Sequence, residues 1–95
     1  MRRTAMRRVG PRMRRRQDAW AKVRVELEKR SGGRCEACVF HPLPGCSGRF
    51  EHAHHVTPRS RGGQDVIGNA AALGHVHHDW VHGHPYEARA LGLLR

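Results

Sequence analysis

Histidine supplies the chemistry of this 95-residue chain: nine are present, and eight of them lie between His52 and His84. Imidazole is the side chain best suited both to hold a divalent metal and to accept a proton near neutral pH. His54 and His55 are adjacent, whereas His78 and His82 stand four residues apart. On a strand, neighbouring side chains point to opposite faces, so one of the first pair can reach a metal while the other faces a substrate. On a helix, residues at i and i+4 share a face, so the second pair can grip the same ion. His54, His78 and His82 then make a three-ligand site with open coordination positions, the arrangement that a catalytic metal needs. His55 is left to deprotonate a water for attack on phosphorus. Asn69 lies between the two pairs and is expected to fix the orientation and tautomer of His55. The chemistry this suits is cleavage of phosphodiester bonds. His52, His75 and His84 have no part in the scheme and read as ordinary histidines.

The elements that must position these side chains are short. A strand within residues 49–56 would end at the histidine pair, and Pro58 through Gly63 is a loop by composition. Residues 65–73 resume a compact segment containing Asn69. A helix from about Gly74 to His82 aligns His78 with His82, and Gly83 and Pro85 end it. Ala88, Leu91 and Leu94 fall at helical spacing, so a short closing helix is expected. Upstream, Trp20, Val23 and Leu27 form one face of a helix over Asp18–Arg30, with Asp18 as N-cap and Ser31-Gly32-Gly33 as the stop. That helix is assigned a structural role alone. Gly10 and Pro11 interrupt the segment before it, where little regular structure is expected. The fold class is therefore α+β. A strand-strand-helix metal unit (about residues 50–84) sits in a single domain spanning 18–95, behind a disordered arm at 1–17.

Composition sets limits on the rest. Eighteen basic and eight acidic residues leave a formal net charge of +10, and eight arginines with no acid fall within the first sixteen positions. Such a segment suits a polyanion, because neutralising several phosphates yields strong, salt-sensitive affinity for nucleic acid. It does not distinguish DNA from RNA. Arg59 and Arg61, just after the histidine pair, are candidates for phosphate contact, since guanidinium matches phosphate bidentately. With 38% hydrophobic and 5% aromatic residues, a deep core cannot supply all the stability, and chains this small often add a metal. No apolar run resembles a signal peptide or a membrane span, so a cytoplasmic, membrane-free protein is expected. There, grouped cysteines favour metal over disulfide.

The stretch from His54 through Val56-Thr57-Pro58-Arg59-Ser60-Arg61-Gly62-Gly63, with Asp65, Asn69, Leu73, His78 and His82 following, resembles the HNH endonuclease family. Cys35-Glu36 ahead and His82-Gly83-His84-Pro85 behind are similar to small phage and prophage members. The resemblance implies a ββα-metal core (the His-Me finger) and cleavage of DNA that depends on a divalent ion such as Mg, Mn, Ni or Zn. It further implies partnership with phage packaging proteins in a bacterial host cell. In its terms His54 matches the first metal ligand, His55 the general base and Asn69 the residue that orients the base. His78 and His82 match the remaining metal positions. Many members also bind structural zinc through two C-x-x-C pairs. Cys35 and Cys38 supply the first; the second would fall at Gly74 and His77, where there is no cysteine. Cys46 with His77, or His75, is the remaining choice for a tetrahedral zinc site. The alternative function is a zinc-stabilised nucleic-acid-binding module without nuclease activity.

Overall fold

The computed structural model describes residues 10–95, and the rest of the arginine-rich arm lies outside the described residues. Helix α1 runs from Pro11 to Ser31, well before the expected start at Asp18. The dipeptide Gly10-Pro11 starts this helix instead of interrupting the chain. Gly10 is extended (φ −68°, ψ 161°) and Pro11 occupies the first turn. Proline is favoured there because its missing N–H is one that the helix leaves without a partner anyway. Residues 11–17 of the expected disordered arm are thus helical, and Asp18 lies inside the helix instead of capping it. The stop falls where expected: Gly32 takes the left-handed conformation (φ 65°) and donates its N–H to Glu28 O at 2.9 Å.

Strands β1 (His52–His55) and β2 (Ala70–Leu73) pair antiparallel, with His54 opposite Ala71 and His55 opposite Ala70. Helix α2 (His75–Gly83) follows β2 at once, and α3 (Pro85–Ala90) closes the chain's fold. This is a small α+β protein with a two-stranded sheet between helices. Such a hairpin is marginal alone and needs cover on its faces. Helix α1 covers one face, where Val23 and Leu27 pack on Ala70 and Ala72. On the other, Ala71 and Leu73 pack with Val81 of α2, Ala88 of α3 and Leu93. Every β2 residue is therefore buried, and three alanines in a row let both layers approach closely.

Glu36 fastens the open edge of β2. It receives Arg30 Nε at 2.7 Å and Nη2 at 2.6 Å, and accepts the Ala72 N–H at 2.8 Å. Arg30 Nη2 also donates to Ala70 O at 2.9 Å, so one ion pair ties α1 to the strand. The loop after β1 is equally determined. A side chain at Gly63 would bring its Cβ within 1.7 Å of Thr57 O, so only glycine lets the loop close on itself. No helix among the described residues is long and apolar enough to cross a membrane.

Candidate metal centres

His77 is completely buried, one of the largest fully buried side chains beside Leu27, Leu73 and Val81. A buried imidazole needs partners for both nitrogens. Its Nε2 is 2.5 Å from the His41 carbonyl, which can only accept, so Nε2 carries the proton. The Nδ1 lone pair then faces Cys46 Sγ at 3.2 Å, Cys35 Sγ at 3.3 Å and Cys38 Sγ at 3.7 Å. All four ligand atoms lie within 4.8 Å of one another. Tetrahedral zinc with ordinary bond lengths would place sulfur about 3.6 Å from nitrogen and about 3.8 Å from another sulfur. The Cys38 and Cys46 sulfurs are 3.4 Å apart, so the cage is already close to that size. The group could hold a structural zinc.

Thiol electrostatics fit the same reading. Burial, then hydrogen bonds with Cys46 and Cys35, push the Cys38 thiol up to about 12. Burial opposes ionisation of Cys46 as well. The Gly48 N–H and the contacts with His77 and the neighbouring thiols overcome it and bring that thiol down to about 7. Three thiolates this close repel one another, and a dication supplies the compensating charge. Cys46, on the loop after the 3₁₀ turn at Glu36–Val39, stands where a second C-x-x-C pair would begin. A Cβ at Gly74 would meet Cys46 Sγ at 2.8 Å. The loop cysteine and a side chain at position 74 compete for one place. His75, the other choice for the fourth ligand, is exposed and pairs with Asp79 at 3.1 Å.

The second cluster is His54, His78 and His82, whose ligand atoms also lie within 4.8 Å of one another. Alternation along β1 turns His54 toward α2, and the i, i+4 spacing brings His78 and His82 to meet it. His54 is 3% exposed, and its Nε2 lies 2.7 Å from the Leu93 carbonyl. That carbonyl fixes the proton on Nε2 and leaves Nδ1 free to bind. Burial, reinforced by positive charge on His52, His82 and His54, drops His78 to about 4, and burial lowers His54 too. Both are neutral near pH 7, the form that ligates a metal. His52 stacks on His78 with centroids 4.6 Å apart, so it buttresses the cluster. His84 packs on Trp80 at 5.0 Å and takes no part.

His55 points the other way, toward α1. Its Nε2 lies 2.8 Å from Asp65 Oδ1, and its ring stacks on Trp20 with centroids 3.6 Å apart and planes 10° apart. Asn69 makes no such contact. Its Oδ1 accepts the Thr57 N–H at 2.7 Å, and its Nδ2 donates to Thr57 O and Gln64 O, each at 3.0 Å. Asn69 therefore shapes the loop that carries Asp65, and its carbonyl accepts the Val56 N–H at 3.0 Å, one residue after His55. Arg59, a candidate phosphate contact, is engaged by Asp65 at 3.0 Å. Arg61 lines a cleft with His54, His55, His78 and His82. Arg89 and Arg95 line it as well, two cations that spacing alone does not single out. Trp20 and Leu93 were missed because each acts from a distant segment, and a backbone carbonyl leaves no mark in a sequence; Asp65 was given no role because only the fold of its loop brings it back to His55.

Asp65 is a hub of charge. Burial would raise its carboxyl, but hydrogen bonds from His55, Arg16 and Arg59 prevail and hold it at about 2. A carboxylate depressed in the folded state stabilises above its unfolded value and loses that contribution as pH falls through the folded one. Asp65→Asn is therefore expected to be less stable than the native chain at pH 5–7, with the gap closing between about pH 4 and pH 2. Urea midpoints across that range test it, and a constant gap would discount the hub.

No family model, characterised protein or solved structure was found to match this chain.

Proposed function

We propose that this chain is a zinc-stabilised module that binds DNA and hydrolyses its phosphodiester bonds at the three-histidine cleft, as a metal-dependent endonuclease of the HNH type. The observation that carries the reading is one cleft lined by three convergent histidines, a fourth histidine on the neighbouring strand position, and arginines. The strand-strand-helix order of β1, β2 and α2 agrees with the ββα-metal core that the sequence resembles. His54, His78 and His82 would hold a divalent ion, which when bound supplies positive charge against a phosphate oxygen and the leaving 3′ oxygen. Arg61, Arg89 and Arg95 pair with the phosphates along the cleft. His55 takes a proton from a water molecule as the water oxygen bonds to phosphorus. The P–O3′ bond breaks, the 3′ oxygen takes a proton from solvent, and the products are a 5′-phosphate and a 3′-hydroxyl. A place beside phage packaging proteins follows from the resemblance alone.

The zinc-stabilised binding module without cleavage has the broader support, because the Cys35, Cys38, Cys46 and His77 group and the basic charge suffice for it. Supercoiled plasmid with Mg2+, Mn2+ or Ni2+ separates the two. Nicking that EDTA stops is expected, whereas binding with intact plasmid across all three ions would leave the binding module as the function.

A further inference from the structure

We infer that His55 is held for proton transfer by a clamp reaching across to α1, in which Asp65 accepts its Nε2 proton and Trp20 stacks on its ring. The inference rests on the reading of His55 as the general base; Asp65 and Trp20 are positioning residues that act through it.

Every acceptor in the clamp is committed. Asp65 Oδ1 receives His55 Nε2 at 2.8 Å and Arg59 Nε at 3.0 Å, while Oδ2 receives Arg16 Nε at 2.9 Å. Arg16 Nη2 reaches on to the Gly63 carbonyl at 3.3 Å, so the loop and helix are joined beside the carboxylate. Arg16 and Trp20 are four residues apart on α1 and therefore project from one face. Asp65 has a side chain only 7% exposed, and two arginines already satisfy its charge. The imidazole is thus not needed to neutralise it.

The consequence for His55 is an assigned tautomer. An ionised carboxylate only accepts, so Nε2 bears the hydrogen and Nδ1 carries the lone pair. Imidazole rotates about its terminal torsion with a broad, roughly two-fold preference, and a ring flip would exchange the two nitrogens. The Asp65 contact holds one edge and the flat Trp20 contact at 3.6 Å covers one face. Together they stop that flip.

Long-range proton–nitrogen correlation spectra of the zinc-loaded chain report the His55 tautomer directly, without any substrate. The Nε2–H form is expected in the native chain and a mixture of forms in Asp65→Ala. At saturating plasmid, Asp65→Ala and Trp20→Ala are expected to lose roughly 100-fold in single-turnover rate with DNA affinity within about twofold. Trp20→Phe should recover most of the loss, which a merely structural role would not require. Far-ultraviolet dichroism and zinc content check that each variant folds. A native His55 in the Nδ1–H form, or an Asp65→Ala chain with unchanged tautomer and rate, would overturn the clamp. A native chain with the Nε2–H form that cuts no plasmid supports the clamp's geometry and rejects cleavage, so the two failures are distinguishable.

Discussion

Stripping metal from the Cys35, Cys38, Cys46 and His77 cluster is expected to unfold the chain. The two apolar clusters are built largely from alanine and valine, with Leu27 and Leu73 as their largest fully buried aliphatic side chains. A domain of ordinary size is stable by about 5–15 kcal/mol, and structural zinc in small peptides contributes an apparent ~10–16 kcal/mol. Loss of the ion therefore removes as much as the whole margin. The geometry sharpens the expectation, because the four ligands come from three separate segments: the 3₁₀ turn, the loop at Cys46 and α2. Without the ion those segments are held by the small side chains of one apolar cluster and by single hydrogen bonds such as Cys35 N–H to Gly48 O at 2.9 Å. Cys35→Ser should behave like the chelated chain, with helical dichroism lost at 25 °C and restored in the native chain by added zinc. Metal analysis should find about one tightly held ion, and His78→Ala, which removes a ligand from the other cluster, should keep both the ion and the chelator response. A chelated chain with an unchanged melt would show that the cluster has no structural part.

His55→Ala is expected to abolish plasmid nicking while leaving DNA affinity nearly intact. General-base catalysis contributes typically 10²- to 10⁴-fold, enough to take a modest nuclease below detection. Binding should survive because the proposed phosphate contacts are made by other side chains, Arg61, Arg89 and Arg95. His78→Ala should also stop nicking, but through loss of the ion, so that raising the metal concentration recovers part of the activity. No metal concentration should rescue His55→Ala. Full cleavage by His55→Ala would mean that another group takes the proton.

Much of this arrangement was legible in local spacing. The i, i+4 pair His78 and His82 lies on a helix, and His54 and His55 lie on a strand with opposite faces. Trp20, Val23 and Leu27 do line the face that α1 turns to the core, and Gly32 does end that helix. These follow from periods of 3.6 and 2 and from turn chemistry, which act over a few residues. The same local logic misread Gly10-Pro11, because a proline that breaks a helix interior also begins one.

Residue types and spacing thus determined which side chains are candidate ligands: a histidine set between β1 and α2, and three cysteines with one histidine short of the two-pair pattern. The tertiary structure alone decided their partners. It chose His77 over His75 by burying one and exposing the other, and put Cys46 into the space left by Gly74. It set Asp65 against His55 and Asn69 against the loop, although Asn69 was expected to orient the base. It also brought α1, through Arg16 and Trp20, against Asp65 and His55. The physical reason is range. Periodicity registers neighbours within a turn or a strand, whereas hydrogen bonds between segments tens of residues apart depend on how the sheet faces are covered.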